Sequence, residues 1–165
     1  MPEDTLTLTE IPSVKVGLLI RRPPAEVFQA IVDPGVTTRF WYTKSSGTMT
    51  PGARLTWEWE MYGVSSEVVV TDVEDGRRVV FSWSGYSPEH PSTVEFRFLP
   101  MPDDAAATYV RVSETGFTGT ADELVAKVAG STGGFTFVLS AMKALLEHDL
   151  DIGLVRDVHP SGAPG

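Results

Sequence analysis

Hydrophobic and polar positions alternate along most of the chain, and the period changes twice. In VKVGLLI, residues 14 to 20, Val14, Val16, Leu18 and Ile20 share one side, the pattern of a strand with one covered face. The next stretch, RRPPAEVFQAIVDPG, switches to helical spacing, with Val27, Phe28, Ile31 and Val32 on one stripe. Pro23 and Pro24 suit an incoming turn and the first helical position, and Asp33-Pro34-Gly35 ends the helix. Thr37 to Tyr42 adds a short turn. Period two then returns. Thr43 to Thr48 is a weak strand candidate, and Met49-Thr50-Pro51-Gly52 is a turn. In RLTWEWEMYG, residues 54 to 63, Leu55, Trp57, Trp59 and Met61 oppose Arg54, Thr56, Glu58 and Glu60. Further strands are predicted over 64–73, 77–84, 93–99 and 107–114. They are separated by Glu74-Asp75-Gly76, the GYSPEHP loop and the turn from Pro100 to Ala105. Hairpin connections this short make an antiparallel meander, because parallel crossovers need far longer links.

Helical spacing resumes at Thr120. Thr120-Ala-Asp-Glu123 matches a capping box. Gly130 is expected to end that helix, and Ser131 or Thr132 to cap a longer one. This second helix carries Phe135, Val138, Leu139, Met142, Leu145 and Leu146 on a broad apolar stripe. The order is therefore strand, helix, about six strands, long helix. A sheet that is apolar on one face requires a cover, and the final helix has the length to supply it. The fold class predicted is α+β, with residues 1–12 as a flexible lead-in, 13–152 as a single domain and 153–165 as a C-terminal tail.

Composition narrows the class. Of the 165 residues, 42% are hydrophobic and 21% charged, as in soluble globular proteins. No uninterrupted apolar run approaches the roughly 20 residues of a bilayer span. MPEDTLTLTE lacks a signal-peptide profile. With no cysteine, disulfides and thiolate metal sites are excluded, and a cytoplasmic location is expected. Thirteen basic side chains against 22 acidic ones give a net charge of −9, and the basic ones are scattered. Nucleic acid and anionic membrane surfaces are thereby unfavourable partners.

Motifs that carry chemistry are sparse. His90, His148 and His159 are far apart and fit no ligand spacing, so neither metal nor cofactor is expected. No GxSxG is present, and GSTGG at 130–134 lacks the lysine of a phosphate loop. Glu58 and Glu60 oppose the tryptophans, and Glu95 alternates against Phe96 toward solvent. Glu67, in SSEVVV, has ambiguous facing. It is the carboxyl candidate for a cavity, where it would act as acid or base. Tyr86 and Tyr109 are the hydroxyl candidates.

The IRRPPAEVFQAIVDPGVTTRFW segment, the helix STGGFTFVLSAMKALLEHDLD and the order of elements resemble the START-like, or SRPBCC, superfamily. Within it they are similar to the branch of homologues of the activator of heat-shock-protein 90 ATPase, over about residues 13 to 152. The resemblance implies a helix-grip fold, a curved antiparallel sheet wrapped around a long C-terminal helix with an apolar cavity between them. Relatives of this kind hold lipids, polyketides, hormones or other apolar molecules there, and some catalyse cyclisation or hydrolysis.

Tryptophan is an expensive choice for a plain core, because its N–H needs a partner. Against that expectation, Trp57, Trp59, Phe81, Trp83, Phe96 and Phe98 fall on the inward face of the predicted sheet. The cavity is expected to be lined by these six with Met61, by Phe28, Phe40 and Trp41 from the first helix and turn, and by Phe135, Leu139 and Met142 from the long helix. Arg39-Phe40-Trp41-Tyr42 is the expected mouth. The leading expectation is a protein that binds a small apolar or aromatic molecule. The alternatives are a cyclase or hydrolase using a cavity carboxyl or hydroxyl, and a module that contacts a chaperone through its surface. A monomer or a homodimer through exposed strands fits each of them.

Overall fold

In the computed structural model, which describes residues 6–84 and 88–164, β1 (Val14–Ile20) runs into α1 (Pro24–Val32) and the one-turn α2 (Pro34–Thr37). Six strands follow: β2 (Lys44–Ser45), β3 (Arg54–Trp59), β4 (Val64–Glu74), β5 (Arg78–Trp83), β6 (Ser92–Met101) and β7 (Asp104–Thr115). Two helices close the chain, α3 (Ala121–His148) and the short α4 (Leu154–Val158). The strands form one seven-stranded sheet in the order β1-β7-β6-β5-β4-β3-β2, antiparallel throughout. Only β1 is out of sequence order. It pairs with β7, Val14 opposite Glu114 and Ile20 opposite Thr108, after α1 and α2 carry the chain across to the far edge.

Local chemistry explains the element ends. Pro24 stands at the start of α1, and the Asp33 side chain accepts from the Gly35 N–H to cap α2. At α3 the capping box forms in full: Thr120 accepts from the Glu123 N–H, and the Glu123 carboxylate accepts from the Thr120 N–H. The inward side chains of the sheet and the buried stripe of α3 (Phe135, Val138, Leu139, Met142, Leu145) share a single core. A curved antiparallel sheet gripping a long C-terminal helix is the helix-grip architecture.

Two expectations are corrected. The break at Gly130 is absent: α3 runs through Gly130, Gly133 and Gly134 without interruption for 28 residues. Each interior glycine costs about 1 kcal/mol relative to alanine. Packing of Leu124 on one side and Phe135 on the other holds the helix together across them. Second, β3 stops at Trp59. Glu60–Tyr62 make a 3₁₀ turn closed by Gly63 at φ 63°, so Met61 leaves the inward face and is exposed. A turn this tight abandons the period-two geometry that placed Met61 beside Trp59. By length and hydropathy α3 would also be long and apolar enough to cross a membrane, a test that core helices pass as well, and here its apolar stripe is packed against the sheet. Its threonines, serines and glycines hide this from a search for uninterrupted apolar runs. The stretch read as a tail from residue 153 carries α4.

Candidate functional site

Aromatic rings fill the middle of the sheet's concave face. Trp41, delivered by the turn after α2, is their hub. Its ring lies 5.0 Å from Trp57, 5.8 Å from Phe96, 6.0 Å from Trp83 and 5.8 Å from Phe135. One part of this layer is sealed. Trp57, Phe81 and Phe96 have no exposed surface, and Phe98 has 1%. Tyr42 stacks on Trp57 with centroids 4.3 Å apart and planes 22° from parallel. Neither the Tyr42 hydroxyl nor the Trp57 N–H makes a hydrogen bond among the described residues, although the Thr37 and Ser45 hydroxyls lie near Tyr42. Burial pushes the Tyr42 hydroxyl up to about 12, with Asp33 adding to the shift and the two hydroxyls opposing it.

The other part is open. A cleft of about 560 Å³ lies between β3–β5 and the middle of α3, walled by Trp41, Trp59, Trp83, Phe135 and Val138. Its rim is made by Tyr62, Val64, Ser65, Val155, Val158 and His159. α4 is fixed beside it by the Tyr62 hydroxyl, which donates to the carbonyls of Val155 and Arg156. Space on the helix side is a consequence of sequence: Gly134 borders the cleft, and a Cβ built on it meets no atom within 4 Å. The glycines that cost α3 helix propensity are what leave this room.

Polar groups gather at this end of the sheet. Reading inward positions strand by strand, the apolar series gives way near the cleft to Ser66 on β4, Ser92 on β6 and Glu114 on β7, all buried. Glu114 has no exposed surface. One carboxylate oxygen accepts from the Trp83 Nε1–H at 2.8 Å and from the Ser92 hydroxyl, and the other accepts from the Ser131 hydroxyl of α3. All three donors are neutral. Sheet and helix are therefore joined through a buried carboxylate, and two of its donors, Trp83 and Ser131, also line the cleft.

The predicted residues divide accordingly. Trp41, Trp59, Trp83 and Phe135 border the cleft, whereas Phe28, Trp57, Phe81, Phe96, Phe98, Leu139 and Met142 lie in the packed core behind it. Phe40 and Met61 border a separate pocket of about 170 Å³ beneath the α3–α4 connection. The expected mouth at 39–42 is buried apart from Arg39, because Phe40, Trp41 and Tyr42 all turn inward. Glu67 is exposed opposite Thr56, since its inward neighbour is Ser66. Tyr109 alternates with buried Thr108 and Val110 and so stands on the outer face, its ring against Gly17 and beneath Arg111. Tyr86 falls outside the described residues. No group of three or more His, Asp or Glu side chains that could hold a metal occurs among the described residues. Glu114, Ser131, Tyr62 and His159 went unpredicted. For Glu114 the signal existed, because it keeps the parity of Val110 and Val112 along β7. The others depend on tertiary placement.

The family model described as "Activator of Hsp90 ATPase homolog 1-like protein" matches residues 21–147. The chain belongs to this family. Solved structures agree in fold. A crystal structure of a Staphylococcus saprophyticus protein is 26% identical, with a TM-score of 0.70, over 84% of this chain and 94% of the other. DynU16, from the dynemicin biosynthetic locus, is 24% identical with a TM-score of 0.71, and the match covers 90% of this chain and 49% of DynU16. The Aha1 dimer from Colwellia psychrerythraea, solved in solution, is 19% identical with a TM-score of 0.69, over 83% of this chain and 97% of the other. No curated protein matches this family member in sequence.

Proposed function

We propose that this chain binds a small apolar or aromatic molecule in the cleft between the sheet and α3. The observation that carries the reading is the 560 Å³ space walled by Trp41, Trp59, Trp83 and Phe135. Sites for small molecules are concave and mostly apolar with a few fixed polar groups, and their volumes run from about 300 to 1,000 Å³. Shielding apolar surface is worth roughly 25 cal/mol per Å², which leaves micromolar affinity within reach after the cost of association is subtracted. The kinship with DynU16, named for a biosynthetic locus, is in keeping with a small-molecule ligand.

Thermal shift with naphthalene, larger fused-ring aromatics and a fatty acid tests the reading. A binding protein gains stability with at least one of them, in proportion to occupancy. Gly134→Leu, which fills the open side of the cleft, should remove that gain while leaving the unliganded protein folded. A panel without any shift in the parent protein, or a shift that survives Gly134→Leu, contradicts the proposal.

A second reading, a cyclase or hydrolase, draws on Glu114 behind Ser131 and on His159 at the rim. It requires a group that reaches a bound substrate, and the position of His159 on the border of the cleft supports His159 as the candidate. Turnover of a bound aromatic ester by the parent protein and its loss in His159→Ala would favour this second reading over simple binding.

A further inference from the structure

Ser131 is the point where the buried network meets the cleft. A serine hydroxyl has one proton to give and two lone pairs to offer. Thr132, Thr136 and Ser140 of α3 spend their protons on carbonyls four residues back in the helix. Ser131 instead sends its proton across to the sheet, onto the Glu114 carboxylate. Two further polar groups that border the cleft are committed in the same sense: the Trp83 N–H also goes to Glu114, and the Tyr62 hydroxyl goes to backbone carbonyls. A carboxylate that already collects the Trp83 N–H, which can only donate, is an anchor that turns hydroxyls toward itself.

We infer that Glu114 fixes Ser131 as a hydrogen-bond acceptor, so that the cleft selects apolar molecules carrying a hydroxyl or N–H donor over equally apolar ones carrying only acceptors. This rests on the binding reading above and specifies the ligand's chemistry. Fully formed, the arrangement needs no movement of the protein: the carboxylate holds the Ser131 proton away, and the lone pairs are left for the ligand. At Ser131 an acceptor-only ligand meets those lone pairs with its own, and a polar atom placed there loses hydration without a partner, the other side chains able to donate (Ser65, Ser66 and His159) standing elsewhere along the cleft.

Three probes built on one ring system test this: naphthalene, 2-naphthol and 2-acetylnaphthalene, titrated calorimetrically. The parent protein should bind 2-naphthol about tenfold more tightly than naphthalene, the scale of one net hydrogen bond, and should give 2-acetylnaphthalene no such gain. Ser131→Ala should erase the 2-naphthol preference measured against naphthalene in the same variant. Glu114→Gln supplies the sharper test. The amide carbonyl can accept from Trp83 and Ser92 while its NH₂ donates to Ser131, which frees the Ser131 proton for the cleft. 2-Acetylnaphthalene should then gain several-fold over naphthalene. Equal or tighter binding of 2-acetylnaphthalene by the parent protein, or an undiminished 2-naphthol preference in Ser131→Ala, overturns the inference even where naphthalene binds well. If naphthalene and both derivatives fail to bind the parent protein, the cleft reading itself fails and the inference falls with it. Should either variant not fold, the order of the three affinities in the parent protein still decides.

Discussion

Trp57 and Trp83 lie 6.3 Å apart on the same face of the same sheet, yet the chain treats them in opposite ways. Trp57 is sealed, stacked on Tyr42, and its N–H has no partner among the described residues. Trp83 is only partly covered, borders the cleft, and its N–H is held by a buried carboxylate. The first arrangement is what packing alone produces: shape and area are gained, and an unmade hydrogen bond is the cost. In the second, a charged or polar group has been placed in the core to fix a ring that the core does not enclose. Burying a carboxylate gives no return in packing; here it holds the Trp83 N–H and draws the Ser131 hydroxyl proton away from the cleft.

The contrast breaks most visibly at Trp57. Replacing it by alanine should lower stability to urea by about 3–5 kcal/mol, because the sealed surroundings cannot collapse onto the space. A loss under about 1 kcal/mol would mean that the region is loose and that its separation from the cleft is false.

Tyr42 offers a pH handle on the same region. Its hydroxyl ionises near 10 in the unfolded chain and at about 12 in the folded protein. The folded state thus keeps its proton in a window where the unfolded state has lost it. Stability should be unaffected by this group below pH 10 and should fall as pH rises from about 10 to 12, by about 2–3 kcal/mol. Tyr42→Phe should flatten that part of the profile and, at neutral pH, cost little or add slightly to stability, since it deletes a buried hydroxyl that makes no hydrogen bond among the described residues. An alkaline slope identical in the variant would assign the effect elsewhere.

Trp83→Phe should have a smaller effect, about 1 kcal/mol, as Glu114 keeps two of its three donors and the ring volume is largely retained. Unfolding in urea measures it beside Trp57→Ala. A destabilisation as large as that of Trp57→Ala would make Trp83 part of the sealed core after all.

These effects also show which features the sequence made legible. The order strand, helix, six strands, long helix was readable because period two and period 3.6 each persist over whole segments, and because the hairpins are too short for any parallel alternative; the helix-grip arrangement of those elements was implied by the family resemblance. The inward parity of Trp57, Phe81, Phe96 and Phe98 followed from the same alternation. Continuity of α3 was not readable, since a glycine breaks a helix only when nothing else holds it, and what holds it is the sheet. Which aromatic residues seal the core and which face a cleft was hidden for a related reason. Parity assigns a face but carries no information about the missing side chains opposite, and the volume beside Gly134 is a tertiary fact. Met61 shows the limit of parity itself, which fails where a strand ends in a 3₁₀ turn. Glu114 was within reach: it closes the strand predicted over 107–114 on the parity of Val110 and Val112, which is that of the buried face.

The division between sealed and open tryptophans can be read in one experiment, because the chain has four indoles and each gives its own Nε1–H signal. Naphthalene titrated into ¹⁵N-labelled protein, followed by two-dimensional NMR, should shift the indole signals of Trp41, Trp59 and Trp83 in a saturable manner and move that of Trp57 far less. No saturable shift at any of the four, or a Trp57 signal that moves most, would contradict the claim that the cleft walled by Trp41, Trp59 and Trp83 is the binding site.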